Sequence, residues 1–521
     1  MTADAVGLTT RRTLGAGTAL RMGSRAAYRS VAELEGEPHV VRRDLVGDSV
    51  GSAVEPKAPI MALAHITDLH VTDVESPARF EFVNSEWEDA RFRELLTMQR
   101  PQEALNVHAI DAMVQTLNAI DAGPLTGSPI ALVAMTGDSI DNTQRNELNN
   151  FLALFDGGTV QPDSGAPGYE GVQAPDWPGD ICWKPDGPDS GDLFQRDLGF
   201  PRVPGLLERA MRPLEATGFK RRWLGCYGNH EEVCQGVGVV TPGLARAMAG
   251  SHKPIALPDG LDRETALETF VKRPEHFMTG SFLEVTPDVS RRPISRTEFV
   301  EALHESGRHG FTDKNRSDGT AYYVHDTRSV RFITLDTVCA AGGADGSIDP
   351  PQLYWLERRL EEAHSSFRSR DGSIVRTQHD DRFVVVLSHH GYDWLANPRA
   401  PKSNDELLEL LQRFRNVVLW LNGHIHANRI TPRPGPHGGH GFWEVTTSSL
   451  VDWPCQARLV ELFEAGDGLL GIGCTMVDHQ GSELAALHRE LAANVPFNGF
   501  DSWRPGTPAD RNAILLLPRP F

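Results

Sequence analysis

Short polar motifs recur directly behind apolar runs: Asp68-Leu69-His70, Gly137-Asp138, Gly228-Asn229-His230-Glu231, His389-His390 and Gly423-His424-Ile425-His426. These residue types at these spacings could do metal chemistry. Asp68 and His70 lie two apart, so in extended chain both side chains leave on one side and can chelate one cation. A carboxylate such as Asp138 can bridge a pair of cations, one on each oxygen. Asn229 offers a neutral oxygen ligand, and the adjacent His230 can reach a substrate oxygen. His424 and His426 can serve neighbouring cations, with Gly423 permitting close backbone approach. Each motif alone has a plainer reading. Gly-Asp behind a strand is usually a turn, and an isolated Asp-x-His is usually a turn cap with an incidental histidine. Repetition of the same donors in the same local setting favours chemistry.

The runs in front of the motifs read as buried strands. Pro59 to Ile66, Ile130 to Met135, Arg222 to Tyr227, Arg382 to Leu387 and Val417 to Leu421 are short, apolar and bounded by turn residues. In open α/β sheets ligands gather at the carboxyl ends of strands, where these motifs sit. Further strands are expected at Val330–Leu335 and Glu444–Ser448, with a hairpin pairing 458–464 and 469–477 across Ala465-Gly466-Asp467-Gly468. Ala109, Ile110, Met113, Leu117 and Ile120 give a core-facing stripe on a helix from about Gln102 to Asp121. His108 lies beside that stripe and is read as structural. Other helices are expected near 143–154, 206–214, 263–271, 297–304, 404–414 and 482–494. Asp349 as N-cap and Pro350 at the first helical position open one more, with Leu353, Leu356 and Leu360 facing the core.

Composition bounds the partners. With 51 basic and 70 acidic residues, the net charge is −19. That disfavours a nucleic-acid polymer or an anionic membrane surface as partner, but not a small anion held by metals. No apolar run is long enough to span a bilayer. The six cysteines contain no Cys-x-x-Cys pair, so neither a zinc ribbon nor a dense disulfide scaffold is indicated. A single Cys226–Cys234 bridge stays open. Thr10-Arg11-Arg12-Thr13-Leu14 looks loosely like a twin-arginine export signal, but Gly15–Leu20 is a short apolar region interrupted by Arg21 and Arg25. Localisation is therefore left open between cytoplasmic and exported.

Residues 1–58 read as an N-terminal arm of low information, and 75–100 as a lid or excursion. Stretches at about 156–221 and 240–320 read as insertions without periodicity. Tyr169, Trp177 and Trp183 in the first insertion either line a substrate entrance or pack the loop onto the body, and packing is favoured. Residues 451–521 supply a hairpin, a helix and a Pro-rich tail that complete the core.

The order and content of the motifs resembles the calcineurin-like metallophosphoesterase superfamily over roughly residues 59–450. Within it, the chain looks most like a bacterial branch with long insertions and often an export signal. The resemblance implies an α/β (α+β) fold: a four-layer αββα sandwich of two mixed sheets flanked by helices, with long loop insertions. It implies one metal on Asp68, His70 and His426, a second on Asn229, His389 and His424, and Asp138 bridging them. His230 would be the catalytic residue and, with Asn229, would face the substrate. His389 is preferred to His390 because it directly follows the strand and one small residue; His390 is the reserve. Purple acid phosphatases carry a tyrosine ligand three residues after the bridging aspartate. Here that position is Asp141, so no tyrosinate–iron charge transfer is expected. Asp141 and Asn142 are read as holding their loop by side-chain to backbone hydrogen bonds.

The implied activity is hydrolysis of a phosphate mono- or diester by a metal-bridging hydroxide, with two transition-metal ions (Mn, Fe or Zn). A donor set without thiolate also suits Co or Ni. The rival readings are a mononuclear metal hydrolase using a subset of the histidines, and a metal-stabilised binding or scaffold protein. The expected partner is a small phosphorylated substrate, and the oligomeric state is open.

Overall fold

The strand Phe383–Leu387 is buried at every residue. Phe383, Val385 and Leu387 join one apolar cluster, and Val384 and Val386 join another. A strand alternates its side chains between two faces, so one that is apolar throughout must be covered on both. The computed structural model, which describes residues 7–47, 54–401, 403–436 and 440–521, shows how.

Two mixed sheets carry the motifs. The first is seven-stranded and runs Val40–Arg42, Ala513–Pro518, Leu469–Asp478, Gln456–Gly466, Ala58–Ile66, Ile130–Met135, Trp223–Gly225. The second is six-stranded and runs Tyr323–Asp326, Val330–Thr334, Phe383–Leu387, Val417–Asn422, Phe442–Thr446, Arg429–Arg433. Leu63, Val133 and Leu459 of the first share a cluster with Phe332, Val385 and Leu421 of the second, so one core lies between them. The other face of the second sheet, through Ile333, Val386 and Trp420, packs on Leu353, Leu356 and Leu360 of the helix Pro350–Glu361 and on Leu407, Leu410 and Leu411 of Asn404–Gln412. The helix Asn106–Ala119 buries Ile110, Met113 and Leu117 in the first cluster.

Parallel pairing positions the site. Ala58–Ile66, Ile130–Met135 and Trp223–Gly225 are mutually parallel, as are Phe383–Leu387 and Val417–Asn422. Their carboxyl ends therefore lie side by side within each sheet, and the motifs that follow them converge. Asp349 caps its helix by accepting the Gln352 N–H, with Pro350 at the first position, as expected.

Several stretches differ from the sequence reading. Arg12–Met22 and Ala27–Glu35, inside the stretch read as an arm, form an antiparallel hairpin, and Val40–Arg42 pairs with Ala513–Pro518. The tail thus holds a strand, signalled by the run Ala513-Ile-Leu-Leu-Leu517. Residues 1–6 and 48–53 of the arm lie outside the described residues. The helix expected over 206–214 stops at Ala210, since Pro213 cannot continue it, and Leu214–Ala216 instead pairs with Gly158–Val160. All six cysteines are free and buried, so no Cys226–Cys234 bridge forms. Among the described residues, no helix is long and apolar enough to cross a membrane.

Trp183 is buried with Tyr28, Phe200 and Leu206, and its indole N–H donates to the Pro201 carbonyl at 2.9 Å, so it packs its insertion. The 75–100 segment forms a separate cluster with the second insertion and the turn before it: Phe80, Phe92, Leu95 and Met98 pack with Val237, Phe270 and Phe277.

The fold also fixes a buried neutral ring. His364 Nδ1 donates to the Leu360 carbonyl at 2.6 Å, and Nε2 accepts the Asn416 N–H at 3.0 Å. Burial lowers its pKa to about 4. The unfolded ring takes up a proton near pH 6.5, so this contribution to stability is intact above that pH and is lost as the pH falls toward 4, by on the order of 3 kcal/mol. Denaturant titrations at about pH 7.5 and about pH 5 should show the loss. His364→Gln can keep both hydrogen bonds and should reduce the loss by the His364 share, since His65 and His488 are also held neutral by burial; an unchanged pH dependence would refute this assignment.

Candidate metal centre

The chain turns abruptly where three of the five motifs leave their strands. Asp68 (φ 51°), His70 (φ 49°), Asp138 (φ 53°), His424 (φ 70°) and His426 (φ 54°) all adopt left-handed backbone. Such residues cost about 1 kcal/mol or more apiece and persist where the surroundings over-determine them. Here the surroundings are carboxylates binding backbone. Glu231 accepts the N–H of Gly228 at 2.7 Å, of Asp138 at 3.0 Å and of Ser139 at 2.6 Å, stapling the second motif to the third. Asp68 accepts the His424 N–H at 3.0 Å and the Thr67 hydroxyl at 2.7 Å, tying the first motif to the last. The backbones approach so closely that a Cβ on Gly423 would overlap Thr67 and Asp68, and one on Gly228 would overlap Asp138.

Donor atoms from all five motifs converge. Asp68, His70 and His426 form one group with donor atoms mutually within 4.8 Å; Asp68, Asp138 and His389 form a second that overlaps it. His389, His390 and His424 form a further group, as do His70, Asp141 and His230. These clusters have the capacity to chelate two metal ions.

The protonation pattern suits cations. His70 Nδ1 is 2.9 Å from Asp141 Oδ1, and His426 Nδ1 is 2.7 Å from Asp452 Oδ2. A carboxylate on each Nδ1 fixes that nitrogen as a donor and leaves Nε2, when it carries no proton, as the atom that could take a cation. The two Nε2 atoms then face each other at 3.1 Å, with Asp68 Oδ1 3.4 Å from His426 Nε2. His389 Nδ1 donates to the Thr136 carbonyl at 2.8 Å. Its Nε2 is paired with Asp138 Oδ2 at 3.1 Å, whereas Asn229 Oδ1 is buried without a hydrogen-bond partner. Asn229 spends its amide N–H on the Gly236 carbonyl at 3.0 Å. An orphaned buried acceptor is costly, and a cation would satisfy the Asn229 oxygen and could take His389 Nε2 once its proton has left.

His390 is placed differently. Its Nδ1 accepts the Thr337 hydroxyl at 2.9 Å and its Nε2 donates to the Ala344 carbonyl at 2.9 Å, so the protein satisfies both nitrogens. His108 lies outside the site and reaches the Ala210 carbonyl at 3.2 Å. His230 Nδ1 donates to the Asp141 carbonyl at 2.6 Å, leaving Nε2, 4.0 Å from Asp138 Oδ2, in the wall of a cavity of about 140 Å³. Leu95, Leu96, Thr97 and Met98 of the 75–100 segment line the same cavity as His70, His424 and His426.

Asp141 does more than the sequence reading assigned. Asn142 bonds backbone as expected, at Ala78 and Gln235, but Asp141 accepts from the side chains of His70, Arg79 and Gln235. Arg79 also reaches Glu103 at 2.6 Å, Glu103 pairs with Arg100 at 3.2 Å, and Arg100 pairs with Asp452 at 2.9 Å. Asp452 returns to His426, so a buried circuit of alternating charge connects His70 to His426. Arg79, Glu103, Arg100, Asp452 and Glu231 carried no role in the sequence reading. Only the position of Glu231 beside Asn229 and His230 hinted at one.

No family model matches the chain, and no curated protein matches it.

Charge balance makes loading pH-dependent. Burial opposes a charge on His389, but the Asp138 carboxylate, then Asp68, overcome this and hold its pKa at about 9. A cation on Nε2 must displace that proton, so metal affinity should climb with pH up to about 9. Calorimetry near neutral pH in buffers of different protonation enthalpy should show proton release on loading. Buffer-independent heats would contradict it.

Proposed function

We propose that the chain is a dinuclear-metal-dependent phosphoesterase of the calcineurin-like kind, cleaving a phosphate mono- or diester. The observation that carries this reading is the overlap of two chelating groups at Asp68, with Asp138 among them and His230 in the adjoining cavity wall. In this reading Asp68, His70 and His426 hold one ion, Asn229, His389 and His424 hold the other, and Asp138 spans both. The orphaned Asn229 Oδ1 and the His389 Nε2 beside Asp138 support their places, and the two nitrogens of His390 satisfied by neutral protein groups favour His389 over it. The reading takes 59–450 as the catalytic core, insertions at about 156–221 and 240–320 included, and 451–521 as completing an αββα layering.

Bound cations would supply Lewis-acid charge and a nucleophile at neutral pH. The chain supplies the rest. Asn229 and His230, both in the cavity wall, would orient the ester. His230, with Nδ1 committed to the Asp141 carbonyl, has only Nε2 free to hydrogen-bond a phosphoryl oxygen or to protonate the leaving oxygen. The 75–100 segment narrows the site to a cavity of about 140 Å³, which suits a phosphoryl group with a small leaving group better than a polymer. A scaffold protein has no need of a histidine held in this way, nor a mononuclear hydrolase of chelating groups that overlap.

With Mn²⁺ added, the protein should hydrolyse p-nitrophenyl phosphate or bis-p-nitrophenyl phosphate, and a chelator should abolish turnover. His230→Ala should retain metal and lose about 10²–10⁴-fold in kcat. Asp138→Ala should lose both ions together, measured by elemental analysis. A metal-replete His230→Ala protein with normal turnover would falsify the proton-donor role.

A further inference from the structure

The lid carries a guanidinium into the wall of the same cavity. Arg100 is 9% exposed and lines it beside His70, His426 and Met98. Its Nε donates to Asp452 Oδ1 at 2.9 Å and its Nη1 to Glu103 Oε1 at 3.2 Å. Nη2 has no protein acceptor among the described residues. Both carboxylates are themselves anchored, Glu103 by Arg79 at 2.6 Å and Asp452 by His426 at 2.7 Å. A planar fork clamped on two edges cannot swing, so its remaining edge is fixed in direction. Nη2 is not among the buried atoms that lack a partner, so this edge stays open to a solvent molecule or an entering ligand. The other side chains of the cavity wall include Glu94, Leu96, Thr97, Met98 and Val237, none of which can neutralise an anion.

We propose that Arg100 binds a non-bridging phosphoryl oxygen of the substrate through Nη2, and that, as the only Lys or Arg among the described residues lining the cavity, it restricts the site to esters carrying a single phosphoryl group. The proposal rests on the phosphoesterase reading. One phosphoryl group meets the cations, His230 and Arg100. A second would find no further Lys or Arg among the described residues lining the cavity, and the Glu94 carboxylate would oppose its charge.

Arg100→Lys keeps a positive charge between Glu103 and Asp452, but a single ammonium cannot also reach the cavity. In Mn²⁺-replete protein the variant should keep its metal content and bind inorganic phosphate about 10- to 100-fold more weakly by calorimetry. An unchanged Kd with intact metal content overturns the assignment. A structure of the wild-type protein with Mn²⁺ and tungstate decides independently of how the variant folds. An oxygen about 3 Å from Nη2 supports the role, and an anion seated away from Arg100 overturns it. Wild-type protein should cleave p-nitrophenyl esters and leave pyrophosphate and ATP intact; comparable kcat/KM on pyrophosphate overturns the restriction. If the wild type cleaves no ester with any metal, the phosphoesterase reading fails instead, and the phosphate Kd values still decide Arg100.

Discussion

Two buried carboxylates held side by side set the terms for the rest of this molecule. Asp68 and Asp138 sit in one chelating group, both almost fully removed from water. At an effective dielectric near 20, like charges at that separation repel by on the order of 3–4 kcal/mol, before the cost of dehydrating either. Burial works against ionisation of Asp68, yet His426 and His389 bring its pKa down to about 2. Those imidazoles are positive counter-ions as long as they keep their protons. Cations on the same donors would take over that duty. The motifs, the staples between them and the sheets behind them all serve to keep this crowd of charge in register.

The scaffold explains how such crowding is tolerated. Parallel strands align their carboxyl ends, so polar groups leave the sheets at one edge while alternate apolar residues remain packed beneath them. Backbone N–H groups freed by the abrupt turns are taken by Glu231 and Asp68, whose carboxylates bond main chain as well as shaping the centre. The lid has its own cluster of aromatic residues with the 237–277 segment, so it holds its shape over the cavity through packing independent of the sheets.

Much of this was legible in the sequence, for physical reasons. Buried strands such as Phe383–Leu387 announce themselves as short apolar runs, and donor residues behind them at a spacing of two are readable as chelators. The caps were readable as well, because Asp349 and Pro350 act locally. Residues whose meaning depends on a distant partner were not. Nothing near Arg100 signals that residue 452 will be its counter-charge, and Asp452 reveals nothing of His426 until the chain folds. The neighbours of Asp141 suggest only a loop-holder, while Arg79 reaches it from the 75–100 segment. The strand at Ala513–Pro518 was obscured by flanking prolines, though its apolar run was there to see. The hairpin of Arg12–Met22 and Ala27–Glu35 mixes small and charged residues with no clean alternation, so periodicity gave no guide.

The circuit from Asp141 through Arg79, Glu103 and Arg100 to Asp452 has a consequence for how this protein can change. Each member compensates a charge on either side, and its ends rest on His70 and His426. Neutralising any one strands a dehydrated ion next to it, while reversing one sets like charges against each other. Sequence drift there is trapped unless two positions move together, so these residues should evolve as a block, even though they reach the chain from segments hundreds of positions apart.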